Sequence, residues 1–506
     1  MRKRTGIILL VVLLLLLTGC AERKQANTET DSLNNFENAT LGVTIGSIFD
    51  GYSRALYPDT EVVYYNNFSD LFQSLKQGKV DGFLYDKPGF SAVARTDDNL
   101  QYTVVPEYMV DIGFCFQKNE YGEQLAAEMS ALQAELWEDG TMDALIEKWY
   151  GEKEPTQTLE RPDFGENAKP FIVAFDSSHK PFTYMLNGQL AGLEVEVIYK
   201  FCLKYGYEPE ILDVPFASGM AGLSSEKFDV ASAYITAERQ KSVNFADPYM
   251  SAQVVMITYE QEDALSPIRN LRKSFKKTVL DENRWKSILS GFYTTLLISF
   301  FAVLIGAAFG FLFFLLSISR KGWLAKPAKA LSAISAFIVR GTPSLVLLMI
   351  IYYVVFANRD ISGTTVAVIG FSMTFGSFVY TNLKVISSGV DQGQVEAAYA
   401  LGYGYMHTFF KIVLPQTMYI FLPVCREEIL NLIKLTSVVG YVAVNDLTKV
   451  ADIIRSSTFD AFFPLIIATV FYFVLTWAAI ALMHAVARRI DPKIRRKKRI
   501  IKEAQE

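Results

Sequence analysis

The spacing of apolar residues changes character once along this chain, near residue 285. Before that point short apolar runs alternate with amphipathic ones. Strands are expected at Leu41–Ile45, Glu61–Tyr65, Val80–Tyr85, Tyr102–Val105 and Ile112–Gln117, with a helix opening at Gly46-Ser47 and others at Asp70–Gln77, Glu120–Glu138 and Met142–Trp149. A second series runs from Phe171 to about Glu260, with strands at Phe171–Phe175, Glu208–Asp213, Asp229–Ile235 and Ala252–Tyr259 and a helix at Glu194–Tyr205. Such alternation implies an open α/β sheet in each unit. After residue 285 come five apolar runs, at about 289–317, 329–356, 364–384, 418–442 and 460–486. Each is long enough to cross ~30 Å of hydrocarbon as a helix.

At 506 residues the chain has room for two or three domains. The net charge of −4 conceals an asymmetry, because the residues before 285 are mixed and often acidic while those from Arg488 onward are strongly basic. Basic clusters at Arg320–Lys326 and after Arg488 mark the cytoplasmic side of a membrane rather than a nucleic-acid surface. With five spans the N-terminal units then lie outside and the C-terminus inside. Arg2-Lys3-Arg4 and the apolar run Ile7–Leu17 fit a signal segment. The four cysteines, Cys20, Cys115, Cys202 and Cys425, are far apart. Cys115 and Cys202 read as buried thiols, with a disulfide between them as the other possibility.

One polar stretch interrupts the apolar half: EAAYALGYGYMHTFFKIVLP, Glu396–Pro415. Glu396, Ala397 and Ala398 favour helix. Gly402 and Gly404 permit a tight turn, and Pro415 suits the first turn of the next helix. A helix–turn–helix knob between two spans is expected. This spacing closely resembles the EAA loop of ATP-binding cassette (ABC) importer permeases. Gly393-Gln394, Arg340-Gly341-Thr342-Pro343, Lys434-Leu435-Thr436-Ser437 and Val444–Thr448 resemble motifs of the polar amino acid branch of the glutamine/histidine type. The resemblance spans roughly 285–488 and departs from the family at Thr381, where a Glu is common, and at Leu435, where KDTS has Asp.

Both N-terminal units resemble lobes of the type II solute-binding proteins, in reversed order. Asp176–Phe182, Gly192–Glu196, Ile235–Arg239 and Val243–Tyr249 match the family's first lobe; Gly78–Asp86 and Asp139–Gly151 match its second. A circular permutation is therefore inferred, the rival being two half-domains that pair with other chains. Leu17-Thr18-Gly19-Cys20 resembles a lipobox, implying lipidation at Cys20; an uncleaved anchor is the alternative. The expected fold is thus multidomain, a permuted two-lobed α/β solute-binding domain followed by an all-α five-span permease. Its parts are signal peptide 1–20, tether 21–38, lobe 39–152, linker 153–168, lobe 169–262, linker 263–284, permease 285–488 and basic tail 489–506.

The resemblance implies how an amino acid is held. Arg239, with Thr236 before it, takes the carboxylate bidentately, helped by backbone amides at Gly46 and Ser47. Asp86 and Asp176 are the candidate acids, Asp86 for the ammonium. Phe182, Phe216, His179 and Tyr234 are candidate walls. Asp86 could instead cap a turn, the two Phe could be plain core, and His179 could be solvated. Glu396, Ala397, Ala398, Gly402 and Pro415 would dock a separate ABC ATPase, since no phosphate-binding GxxxxGK[ST] occurs in the chain. The expected partners are two ATPase copies, a second permease copy or paralogue, an amino acid and membrane lipid, with no nucleic acid, cofactor, metal site or catalytic residue. Import of an amino acid is the expected function; a membrane-tethered amino acid sensor is the alternative.

Overall fold

The computed structural model describes residues 39–95, 99–151, 159–260, 271–318, 341–357, 361–458 and 460–490, apart from residue 273 and with isolated positions beside these segments. The signal segment with Cys20, most of the tether, linker residues 152–158 and 261–270, the basic loop 320–326, Arg340 and the tail beyond 490 lie outside the described residues. The described chain divides into two compact units. One holds the residues up to Phe90, Ala94–Met109 and the segment from Gln253; the other holds most of Val110–Ala252 and everything after Leu265.

The first unit begins with β1 (Thr40–Thr44), α1 (Phe49–Leu56), β2 (Glu61–Tyr65) and α2 (Phe68–Lys76). Strands β1 and β2 pair in parallel, as a right-handed strand–helix–strand crossover requires. Asn67 starts α2 by accepting the Asp70 N–H at 2.9 Å, a standard N-cap. β3 (Phe83–Asp86) follows, then α3 (Lys87–Ala94) and the long strand β4 (Leu100–Phe116). Leu41, Val43, Phe72 and Phe83 fill the core. The two strands expected at Tyr102–Val105 and Ile112–Gln117 fall within this one strand, although Pro106–Met109 between them are not buried and Glu107 has φ 65°.

The second unit contains the end of β4, α4 (Glu120–Glu138), α5 (Thr141–Tyr150), β5 (Lys169–Phe175), β6 (Ser178–His179), β7 (Thr183–Leu186), β8 (Gln189–Ala191), α6 (Leu193–Tyr205) and β9 (Tyr207–Asp213). It continues with α7 (Phe216–Ser224), β10 (Val230–Tyr234), β11 (Asn244–Phe245) and β12 (Met250–Tyr259), whose second half returns to the first unit and pairs with β3. β9 pairs with β5 and β5 with β10 in parallel, and β10 meets β4 antiparallel. β7 and β8 join through Asn187 and Gly188 at φ 52° and 83°, the positive pair that a two-residue hairpin turn needs. Cys115 and Cys202 are buried and unbridged, and burial pushes both thiols up to about 12.

The apolar half, in the same unit, is helical: α8 (Arg284–Ile318), α9 (Ser344–Ile350) extended by a wide turn to Val355, α10 (Gly363–Ser388), α11 (Gln392–Ala400), α12 (Tyr405–Thr408), α13 (Leu414–Leu435), α14 (Leu447–Thr458) and α15 (Phe462–Ile490). Four helical stretches are long and apolar enough to span a bilayer: Lys276–Ile318, Gly363–Ser388, Tyr405–Val442 and Phe462–Arg488. They coincide with four of the five expected runs. Of the run at 329–356, the continuous described helix is Ser344–Val355, shorter than a span. Helices α8 and α10 cross closely; a Cβ on Gly306 would stand 2.7 Å from the Ser372 carbonyl oxygen. Glycine at such a crossing lets two membrane helices touch backbone to backbone.

Candidate functional site

Seven of the expected pocket residues lie in the second unit and come together at the ends of β5, β10 and α7. Asp176 follows β5 and turns its carboxylate inward to the chain. Its Oδ1 accepts the Ser178 N–H at 2.9 Å and the Ser178 hydroxyl at 2.7 Å. Its Oδ2 accepts the Phe216 N–H at 3.0 Å, at the first residue of α7. One side chain thereby ties the β5–β6 turn to a helix start, where a negative charge is favoured by the helix dipole. Phe216 in turn lies under Arg239, whose guanidinium carbon is 4.9 Å from the ring centroid, within cation–π range.

Arg239 sits in a short 3₁₀ turn, Arg239–Lys241, rather than in the strand itself. Its N–H donates to Thr236 Oγ1 at 3.1 Å, and its Nη1 donates to the Tyr234 carbonyl at 2.9 Å. Burial pulls the guanidinium below the ordinary arginine value; it starts so far above neutrality that the charge is kept. Opposite it, His179 stacks on Phe182 with centroids 4.6 Å apart and interplanar angle 25°. His179 Nε2 lies 3.2 Å from the Tyr234 hydroxyl. Phe182 is fully buried and also meets Tyr150 edge-on at 5.5 Å. It is the floor beneath His179 and part of the core at once.

Asp86, Gly46 and Ser47 belong to the first unit. Asp86 ends β3 fully buried, and its Oδ1 accepts the Gly89 N–H at 2.7 Å. The carboxylate therefore does start a turn of α3, the more ordinary of its two expected roles. Gly46 has φ 77° and Ser47 accepts the Phe49 N–H at 3.3 Å, so the pair forms the entry to α1. The Phe49 and Tyr85 rings, 5.9 Å apart, place that entry beside β3.

A buried hub escapes the motif reading. Glu194, 1% exposed at the start of α6, accepts from the hydroxyls of Thr183 at 2.7 Å, Ser232 at 2.9 Å and Tyr249 at 2.5 Å. Burial, followed by the Glu194 charge, raises the Tyr249 hydroxyl well above its usual value, so it remains a donor. The hub locks β7, β10 and the start of β12 behind the His179–Tyr234 wall. Its signal in the sequence is a carboxylate in the first turn of an otherwise buried helix.

The expected knob is present. α11 carries Glu396 and Ala397 on its exposed side and Ala398 buried. Gly402 turns the chain at φ 84°, and α12 then leads through a wide turn, Phe409–Val413, into α13, with Pro415 in its first turn. The Tyr405 hydroxyl donates to the Ile318 carbonyl at 2.7 Å, fixing the knob to the end of α8. Leu401, Tyr403, Met406 and Phe410 are exposed around the turn. Among the described residues no cluster of three or more His, Cys, Asp or Glu side chains could hold a metal ion.

Comparison with known proteins finds two kinds of match. The profile of the bacterial extracellular solute-binding proteins, family 3, matches residues 171–421. The probable amino-acid ABC transporter permease protein YckA of Bacillus subtilis (strain 168) is 31% identical over 203 residues, 40% of this chain and 88% of its own length. The putative glutamine transport system permease protein GlnP of Rickettsia bellii (strain RML369-C) is 33% identical over 215 residues, 41% of this chain and 92% of its own. A crystal structure described as an amino acid ABC transporter with histidines is 28% identical, with a TM-score of 0.38, covering 45% of this chain and all of that one. With relatives above 30% identity aligned over about nine-tenths of their length, the chain belongs to the amino-acid ABC transporter permease family, and residues 171–421 also match the solute-binding family 3 profile.

Proposed function

We propose that this chain imports an amino acid across the cytoplasmic membrane as the combined binding and permease subunit of an ABC transporter, powered by a separate ATPase. The observation that carries it is the occurrence in one chain of a solute-binding match and of permease relatives aligned over about nine-tenths of their length. The knob supports the energy source: Glu396 is exposed beside Leu401, 78% exposed, and Met406, 50% exposed. Exposed apolar residues around a charged centre make a docking surface, and substituting them is expected to loosen the ATPase, not the ligand.

The ligand carboxylate goes to Arg239, its entry framed by Phe216, His179 and Tyr234, with Asp176 and Thr236 holding the frame and Phe182 beneath. Asp86, Gly46 and Ser47 are the second lobe's share, Asp86 towards the ammonium. The lobes are permuted within one chain: the solute-binding profile begins at Phe171, on β5, and the chain crosses between units inside β4 and β12. The permease occupies 285–488 with five spans, N-terminal lobes outside and tail inside, and pairs with a second copy or paralogue and two ATPases. Cys20 is lipidated. The basic tail supports that orientation.

Membrane vesicles containing the chain and its ATPase test the reading. Glu396→Lys is expected to lose the ATPase on purification and to lose uptake while amino acid binding persists. Unchanged ATPase retention and uptake would falsify the docking assignment. A tethered sensor accounts for the lobes alone, and gives no reason for permease relatives over most of their length.

A further inference from the structure

The second unit joins one solute-binding lobe to the permease helices through a built contact that the transport reading does not require. Phe228, at the turn between α7 and β10, is fully buried. Its ring stands 6.0 Å from that of Tyr353, edge-on, and 6.4 Å from that of Tyr352, both beyond α9. Lys227 beside it is 7% exposed; its Nζ lies 4.2 Å from the Tyr352 centroid and donates to the carbonyls of Phe356 at 3.1 Å and Arg359 at 3.4 Å. Phe356 caps the wide turn that extends α9, so the cation sits at the C-terminal end of that helix, where its dipole favours positive charge. A second anchor lies on α14, where Lys449 Nζ meets Asp213 Oδ1 at 3.2 Å, with side chains 12% and 3% exposed. Burial opposes the lysine charge, but Asp213 and then Asp176 outweigh it and raise the Lys449 pKa. Asp213 also accepts the N–H and hydroxyl of Ser177, the neighbour of Asp176, at 3.1 and 2.9 Å. A third contact is the β7–β8 hairpin tip, where a Cβ on Gly188 would stand 3.7 Å from Ser287 Oγ in the first turn of α8.

We propose that this lobe is a fixed part of the permease: it remains seated on α9 and α14 through the whole transport cycle instead of docking and leaving. Three features support permanence. The aromatic contact is continuous with one hydrophobic core that includes Ala174 and Ala231 of the lobe and Leu348 and Val366 of the permease. Both lysines are desolvated at the contact, as transient, wet interfaces seldom arrange. The pocket acid Asp176 adjoins Ser177, so the seat is built into the ligand site's own turn. The inference rests on the transport reading for its consequence, but its geometry can be tested separately.

The double variant Gly188→Cys/Ser287→Cys, in the full chain with its co-purified ATPase, tests it. The described native cysteines are buried and unbridged, and a Cβ on Gly188 would stand 3.7 Å from Ser287 Oγ, near enough for a disulfide. Because Gly188 has φ 83° and a side chain there strains the turn, Gln189→Cys/Ser287→Cys joined by a short bismaleimide is measured alongside and read by the same criterion. Cross-linking is measured in the resting complex and in the vanadate-trapped complex; equal yields are expected, and a yield at least fivefold lower when trapped overturns the proposal. Uptake of a mixture of radiolabelled common amino acids is then compared before and after reduction in proteoliposomes. Oxidised and reduced protein are expected to agree within about twofold. Uptake abolished by oxidation and restored by reduction overturns the proposal, whereas absent uptake in the unaltered protein refutes the transport reading and leaves the cross-linking result decisive for the seat.

Discussion

Removing the Glu194 carboxylate should loosen the lobe behind the pocket more than any single substitution at the pocket surface. The side chain receives three hydroxyl hydrogen bonds, from Thr183, Ser232 and Tyr249. Thr183 and Tyr249 are each 1% exposed, so water cannot replace the lost acceptor. Each buried donor left unpaired costs roughly 1–3 kcal/mol. Relief of the carboxylate's own desolvation offsets part of that, and breaking a buried charged network nets about 3–4 kcal/mol. In a domain of this size that corresponds to a drop of roughly 6–16 °C in Tm. Glu194→Gln keeps the shape but turns an NH₂ towards hydroxyl donors, at a cost of about 1–2 kcal/mol. Cys115 and Cys202 report the unfolding, because burial keeps their thiols unreactive, at about 12, until the lobe opens. A thiol-reactive fluorophore in a background with Cys20 and Cys425 replaced would read that opening in the detergent-solubilised full chain. An ordering of wild type above Glu194→Gln above Glu194→Ala is expected. A Glu194→Ala midpoint within about 2 °C of wild type, a shift too small for ~1 kcal/mol, would show that the hub carries no stability.

Other expectations are simpler. Arg239→Ala removes a fork able to make two charge-assisted hydrogen bonds of about 1.5–3 kcal/mol each, so calorimetric amino acid affinity should fall at least ~100-fold; unchanged affinity would move the carboxylate site elsewhere. Gly306→Ala pushes a Cβ to 2.7 Å from the Ser372 carbonyl and should cost about 1–3 kcal/mol, read as earlier thermal aggregation. Asp452, on α14, is pushed up to about 6 by burial, which Lys449 opposes and Asp446 adds to, although Arg455 Nη1 pairs with its Oδ1 at 2.7 Å; at that value it holds a proton in the folded chain near pH 5 that the unfolded chain has released. Its contribution therefore weakens stability as pH rises from about 4 to about 6, and Asp452→Asn should flatten the Tm profile across that window; an unaltered profile removes Asp452 as its source.

Motifs with a short-range cause were legible in the sequence. Gly402 had to turn, and does so with positive φ; Pro415 had to start a helix, and does. Asp176, His179, Phe182 and Arg239 were singled out by resemblance to the solute-binding motifs, and the fold brings them together within one lobe. What was not legible depends on contacts between elements far apart in sequence. Glu194 meets Ser232 and Tyr249 only after three strands have assembled. Lys227 and Lys449 look like solvated surface charges, and only the folding of the lobe onto α9 and α14 buries them. The second apolar run, at 329–356, lies partly outside the described residues, and its described part includes the helix Ser344–Val355.

The seat of the lobe also bears on how binding energy can be used. Burying an aromatic side chain removes roughly 150–250 Å² from water, about 4–6 kcal/mol per ring at ~25 cal/mol per Å². Phe228, Tyr352 and Tyr353 are all buried at the seat. If only half of that burial belongs to the contact itself, separation costs about 6–9 kcal/mol. A ligand bound at micromolar to millimolar Kd supplies about 4–8 kcal/mol in all, and closure of the pocket must be driven from the same source. Detaching this lobe in every cycle would cost about as much as ligand binding supplies, a load that the ATPase would have to carry. A lobe that stays leaves the ligand's energy for pocket closure, and Asp213, bonded to Ser177 on one side and Lys449 on the other, lies where closure can be felt by α14.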